Sequence, residues 1–182
     1  MQKKSCGDIF SATNALKVLS FLADNPGKEL LGSDIQKATC LSRAGVYIAL
    51  RELIKQKLVF KTRRGKFLLY SVAHDDPVVR QFKILNNILS LTSLISRLKP
   101  LSKKIILYGS ASRGEDDQKS DIDLFILAKD PQAVKEPLSS IKMKRKIQAV
   151  IKSPSELADL KEEDVTFYNE VDRGITLWEE KE

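Results

Sequence analysis

Histidine and cysteine are almost missing from this chain of 182 residues, which carries one of the former, His74, and two of the latter, Cys6 and Cys40. A single histidine excludes His-rich metal chemistry. Two widely separated cysteines fit neither a disulfide framework nor a zinc knuckle, so a reducing, cytoplasmic setting is expected. Long apolar runs are missing too. Nothing approaches the roughly 20 apolar residues of a spanning helix, and the N-terminal stretch lacks the apolar core of a signal peptide. No membrane partner is therefore expected. Internal repeats and low-complexity tracts are also absent. What remains is ordinary for a globular protein: 42% hydrophobic and 30% charged residues, in a chain long enough for one large domain or two small ones.

The formal net charge is +7, and its location matters more than its size. Residues 1–75 hold 13 Lys/Arg against 6 Asp/Glu, whereas residues 76–182 hold 18 of each. The whole excess lies in the first part of the chain. That asymmetry points to a polyanionic partner for this part alone.

Residues 105–127, IILYGSASRGEDDQKSDIDLFIL, carry the strongest chemical signal. Ile105, Ile106, Leu107 and Tyr108 suit a short buried strand. Gly109-Ser110 then breaks it. The glycine permits a sharp bend or a close approach, and a serine opening a helix offers its hydroxyl and nearby N–H groups to a phosphate. Ten residues later, Asp121-Ile122-Asp123 leads into the apolar Leu124 to Leu127. Alternate strand residues share a face, so Asp121 and Asp123 project together while Ile122 enters the core. Two carboxylates on one face begin a Mg2+ site completed by substrate phosphates. A turn followed by two solvated aspartates is the plainer alternative.

Gly109-Ser110, the ten-residue spacing and Asp121-x-Asp123 resemble the signature of the nucleotidyltransferase superfamily related to DNA polymerase beta. The continuation through Arg113 and Gly114 is similar to its small prokaryotic branch, the minimal nucleotidyltransferases, and the resemblance covers residues 101–179. It implies Asp121 and Asp123 as catalytic and metal-binding residues. It also implies Gly109, Ser110 and Arg113 as nucleotide-binding residues, with Mg2+ and an NTP, ATP foremost, as ligand or substrate. Arg113 has an alternative, pairing with a nearby carboxylate. One departure stands out. Active members commonly carry a third acidic residue on a later strand, within a stretch resembling residues 146–151, and the corresponding residue here is Gln148. An amide is neither a carboxylate ligand nor a general base. Asp130 and Glu136 are candidate replacements in space, while Glu115, Asp116 and Asp117 read as solvated loop residues.

The basic N-terminal part has its own order. Ala12, Leu16, Leu19 and Leu22 recur at helical spacing over residues 11–23, ended by Asp24-Asn25-Pro26-Gly27. Ser33-Asp34 is expected to cap a second helix through Thr39, and Ser42 a third running to Gln56. Residues 57–72 read as two strands around the basic tip Arg63-Arg64-Gly65-Lys66. Three helices and a basic hairpin resemble a winged helix-turn-helix of small prokaryotic transcription regulators, over residues 9–73. On the third helix, Val46, Leu50, Leu53 and Ile54 form a core stripe. Arg43, Tyr47, Arg51 and Lys55 form a different, basic one. With Ser42 at its start, that helix suits the major groove of double-stranded DNA, and Arg63, Arg64 and Lys66 suit the backbone or minor groove. A solvated helix face and a charged hairpin are the alternative.

Residues 78–98 predict a long helix with Pro77 at its start and Pro100 beyond its end. Ile84, Ile88, Leu91, Ile95 and Leu98 follow coiled-coil steps, and Val78, Phe82, Leu85 and Leu89 make a second stripe. One stripe can pack on the chain itself and the other on a second copy; burial of both within one protomer is the alternative. Farther on, helices are expected over residues 132–142, from Ser153 to Leu160 and over 163–171, with strands over 146–151 and 175–178. The expected fold class is α+β. Residues 1–75 form a winged helix-turn-helix, 76–100 a linker and dimerisation helix, and 101–182 a nucleotidyltransferase-type mixed sheet with helices. Two function classes follow: a DNA-binding transcriptional regulator with a Mg-nucleotide-binding domain, or an active transferase. The transferase would move a nucleoside monophosphate onto a protein, as antitoxin-like relatives do, or onto a nucleic-acid or small-molecule hydroxyl.

Overall fold

The computed structural model describes residues 13–140, 143 and 145–181. It divides into two compact units between Leu89 and Ser90.

The first unit opens with α1, Asn14–Ala23, capped by the Thr13 hydroxyl, which accepts from the Leu16 N–H at 3.2 Å. Its buried residues are Val18, Leu19, Leu22 and Ala23, whereas Leu16 is only half-buried. The helix is thus rotated from the expected stripe, because packing selects the face with most apolar area, Val18 included. The expected start at Ser11 and Ala12 lies outside the described residues. Strand β1, Leu30–Leu31, runs directly into α2, Gly32–Thr39. This helix begins before the expected Ser33-Asp34 cap. Leu31 takes the cap position, and Asp34 reaches back to accept its N–H at 3.2 Å. Helix α3, Arg43–Lys55, starts as expected, with the Ser42 hydroxyl accepting from the Gly45 N–H at 3.1 Å.

Strands β2, Val59–Arg64, and β3, Phe67–Val72, pair antiparallel from Val59↔Val72 to Arg64↔Phe67, and β1 joins the other edge of β3. Only Gly65 and Lys66 remain for the turn. Gly65 sits at φ +60°, the left-handed conformation that two-residue hairpin turns need at their first central position. Val18, Leu22, Ile35, Val46, Leu50, Leu53, Val59 and Val72 form the core of the unit.

Helix α4, Pro77–Leu98, contains the boundary between the units and ends in a 3-10 turn, Lys99–Leu101. Leu91, Ile95 and Leu98 of the first expected stripe are buried, but Ile84 and Ile88 are only half-buried. In the second stripe Phe82, Leu85 and Leu89 are half-buried and Val78 is exposed, while the unexpected Val79 and Leu94 are buried.

The second unit carries β4, Lys104–Tyr108; α5, Gly109–Arg113; β5, Ile122–Leu127; α6, Pro131–Ser140; β6, Ile147–Lys152; α7, Pro154–Glu163; α8, Val165–Asp172; and β7, Ile175–Glu179. The strand order is β6-β5-β4-β7, with β4 antiparallel to both neighbours and β5 parallel to β6 across α6. This is a mixed sheet with helices. On one face Ile106, Tyr108, Phe125 and Val171 form a core against which Leu157, Leu160 and Phe167 pack. Helix α7 has the reciprocal cap that Ser153 and Glu156 imply. The Ser153 hydroxyl accepts from the Glu156 N–H at 3.3 Å, and the Glu156 carboxylate accepts from the Ser153 N–H at 2.7 Å. Helix α6 forms although Pro137 lies inside it, forfeiting one backbone bond. Residues 141 and 142 of its expected span lie outside the described residues.

Among the described residues, no helix is long and apolar enough to cross a membrane.

Candidate functional site

The acidic pair occupies the end of β5. Asp123 lies opposite Tyr108 in the antiparallel β4–β5 register, so both side chains share a face. Ile122 points the other way and is 1% exposed. Asp121, just before the strand, is half-buried, and its Oδ2 lies 3.6 Å from the exposed Lys146 Nζ. A solvated pair of this kind contributes little to stability, so Lys146 leaves Asp121 available to a cation.

Gly109 connects β4 to α5 at φ +67°, and a β-carbon there would collide with the Asp123 carboxylate. The residue must be glycine on two counts, backbone conformation and close approach. Ser110 follows, half-buried in the first turn of α5, and Arg113 ends that helix. The Arg113 guanidinium lies 2.9 Å from Glu115 Oε2 and 3.8 Å from Glu170 Oε1. All three side chains are about half exposed, so the guanidinium can exchange these carboxylates for another anion at small cost.

Electrostatics mark the same corner. Burial raises the Asp123 carboxyl above its ordinary range, the Asp121 and Glu170 charges raise it further, and Arg145 and Arg113 oppose them. Burial also pushes the Tyr108 hydroxyl up to about 12, helped by Asp123 and Glu170. The Tyr108 ring meets Phe167 edge-on at 5.6 Å, which fixes its orientation on the strand next to Asp123. A self-repelling carboxylate pair in a partly desolvated corner favours a hard cation. Beside it, Ser112, Arg113, Thr166, Asn169, Glu170 and Arg173 line a cavity of about 570 Å³, within the usual range for small-molecule sites.

Gln148, the residue that the resemblance set at the third acidic position, stands next to Asp123 in space. Asp123 pairs with Gln148 in the parallel β5–β6 register, and Gln148 is exposed. Asp130 does not replace it. Its carboxylate accepts from the Gln132 N–H at 2.9 Å, beyond the opposite end of β5. Among the described residues, no group of three or more His, Cys, Asp or Glu is assembled to hold a metal.

The loop before β5 differs from the solvated loop expected. Glu115 and Asp117 are exposed, but Asp116 is 3% exposed and paired with Arg145 at 2.6 Å. The reason is charge neutralisation, since a carboxylate enters a protein interior only with a partner. Asp117 organises the rest. Its Oδ1 accepts from the N–H groups of Lys119 and Ser120 at 2.8 and 2.9 Å, and these bonds lower its carboxyl below the usual range. Arg145, Glu170 and Arg173 escaped the sequence reading because they come from elements distant in the chain, and no local spacing links them to Asp121.

In the first unit, Arg43, Tyr47, Arg51 and Lys55 are all exposed on α3, along a stripe next to the buried Val46, Leu50 and Leu53. Ile54 of the expected core stripe is half-buried, and Ile48 is exposed beside Tyr47. The Ser42 hydroxyl serves the helix cap. At the hairpin, Arg63 Nε donates to the Gly65 carbonyl at 3.1 Å, Arg64 pairs with Glu29 at 2.8 Å, and Lys66 Nζ stands 5.5 Å from the Phe67 ring.

Residues 83–182 match the family described as Polymerase beta, Nucleotidyltransferase. A search of curated proteins found no significant match.

Proposed function

Because the chain belongs to the polymerase beta nucleotidyltransferase family, we propose that its C-terminal part binds a Mg2+-nucleotide and that its basic N-terminal part binds double-stranded DNA as a winged helix-turn-helix. Together they make a transcriptional regulator. Members of the family usually use an NTP with Mg2+. The donor set here suits that use, since two carboxylates leave room for the phosphate and water oxygens that Mg2+ prefers. Asp121 and Asp123 would hold the cation, which supplies charge neutralisation at the phosphates. Gly109, Ser110 and Arg113 would meet the triphosphate, and ATP is the first nucleotide to test.

The observation that favours regulator over transferase is Gln148 in register with Asp123. The pair that binds is kept, and the carboxylate that would take an acceptor proton is an amide. Glu170 favours the second reading. Its charge reaches both Asp123 and Tyr108, so it offers a carboxylate from a different element. On that reading the chain transfers a nucleoside monophosphate to a protein, nucleic-acid or small-molecule hydroxyl. Labelled NTPs, Mg2+ and cell extract separate the two: a labelled acceptor establishes the transferase.

DNA binding rests on the two faces of α3, one buried and one basic. Arg43 and Arg51 would reach base edges, with Ser42, Tyr47 and Lys55 beside them, and Arg63, Arg64 and Lys66 would follow the backbone or minor groove. In the Arg43→Ala/Arg51→Ala protein, DNA affinity and sequence preference are expected to fall together. Where a substituted side chain had neutralised a phosphate, the salt slope drops by about one unit. Unchanged mobility shifts for that variant would remove α3 from the interface.

A homodimer through α4 would present two such helices to two half-sites. It is supported by Ile84, Ile88, Leu85 and Leu89, which stay half-buried along one helix, whereas Phe82 packs on the core of the first unit. Light scattering is expected to give twice the chain mass, and a monomer at micromolar concentration both free and on DNA would exclude it.

A further inference from the structure

We infer that Arg145 is a positioning residue for the acidic pair, acting as a latch that holds the backbone on which Asp121 is mounted. This inference rests on the nucleotide site proposed above. Arg145 comes just before β6, yet its guanidinium is directed at the loop before β5. Nε donates to the Ser120 carbonyl at 2.8 Å, Nη2 to the Asp121 carbonyl at 3.0 Å, and Nη1 to the Asp116 carboxylate at 2.6 Å. The fork is therefore fixed by a nearly buried carboxylate at one end and grips two consecutive carbonyls at the other. The Arg145 and Asp116 side chains are 15% and 3% exposed.

Only arginine can make this contact. Its planar guanidinium presents rigid, divergent donors, whereas a lysine ammonium is a point charge on a flexible stem. Neighbouring bonds tie the same place to β6, because the Ile122 N–H donates to the Lys146 carbonyl at 2.9 Å. Ser120 is held from the other side through the Asp117 turn. The consequence is functional. Asp123 is set by the β-ladder, but Asp121 precedes the strand, so its relation to Asp123 depends on the clamped carbonyls. Two carboxylates share a cation only if their separation is maintained against mutual repulsion.

Removal of such an outer-shell partner typically weakens metal affinity about 10–100-fold. Arg145→Lys keeps the charge and loses the fork, so its Mn2+-dependent nucleotide affinity is expected to fall by about tenfold or more. That variant also strains a buried ion pair, so a second one separates stability from positioning. Replacing a buried pair with apolar residues of similar size is often neutral or stabilising. Asp116→Leu/Arg145→Met is therefore expected to melt near the wild-type temperature while its metal-dependent affinity stays low, because the carbonyl clamp is still gone.

The measurement is Mn2+ titration by electron paramagnetic resonance on the full chain with each of the four NTPs, paired with thermal melts. Recovery of Mn2+ affinity along with stability in the double variant would overturn the latch and leave the site proposal standing. A wild-type chain that binds Mn2+ with none of the NTPs beyond their own affinity would overturn the site, and the latch with it.

Discussion

The Asp121→Ala/Asp123→Ala protein is expected to lose Mg2+-dependent nucleotide binding by about 100-fold or more, since on the proposed reading each carboxylate would be a direct oxygen ligand in a site with few others. The loss should be specific to the cation. Without Mg2+, the two carboxylates repel a triphosphate, so metal-free nucleotide affinity is expected to hold or tighten in the variant. Calorimetry with and without Mg2+ reads both. Equal affinity of wild type and variant in Mg2+ would leave the C-terminal unit as an inherited scaffold and the chain as a DNA-binding module.

Stability supplies a control on that result. Burial and two neighbouring carboxylates raise the Asp123 carboxyl above its ordinary value of 3.8. The folded state therefore holds its proton more tightly than the unfolded state. The protonated form favours folding below the ordinary value, and this advantage is lost as pH rises through the raised one. At neutral pH the charge on Asp123 is a burden. The double variant is accordingly expected to melt at or above the wild-type temperature, which separates lost ligands from lost fold.

The second large effect runs in the opposite direction. Gln148→Asp places a carboxylate in register with Asp123 on the adjacent parallel strand, and paired strands lie about 4.8 Å apart. Three carboxylates at that spacing offer the oxygens of a two-metal site, in which the cations sit about 3.5–4 Å apart. They also offer a base for the acceptor hydroxyl. A positioned base is worth about 10²–10⁴-fold in rate, so any transferase activity should rise by that order while nucleotide affinity changes little. Gln148 is exposed, so the new charge needs no buried partner. It does add to the repulsion on Asp123, and the variant should melt lower without Mg2+ and recover with it. Label transfer unchanged in Gln148→Asp, with Mg2+-nucleotide binding intact, would show that base supply is not what limits this chain. Gln148→Glu then tests whether one more methylene is needed to reach the site.

Much of this organisation was legible in short stretches. The Ser42 cap of α3, the Ser153–Glu156 box of α7 and the Gly65 turn are local devices whose partners lie within three residues, so residue type and spacing suffice to read them. The alternation Asp121-Ile122-Asp123 is equally local, although only Ile122 and Asp123 belong to β5 and Asp121 sits just before it. Periodicity did less well where two faces compete. Leu16 belonged to the expected stripe of α1, but Val18 is the buried residue. Along α4, Val78 and Val79 differ only in which side the core lies on.

By itself, then, the sequence determined most of the elements, the acidic pair and the glycine turn beside it, because each follows from interactions between near neighbours, whereas the short β1 was not among them. Tertiary structure alone decided that Gln148 stands across from Asp123, that Glu170 and Arg173 share a cavity with Arg113, and that Arg145 grips the loop beneath Asp121. It also reversed the reading of Asp116 from a solvated carboxylate to a buried one. The physical reason is the same each time. Strand register and the pairing of a buried charge are long-range choices, made by how the sheet closes and by what can neutralise a carboxylate out of water.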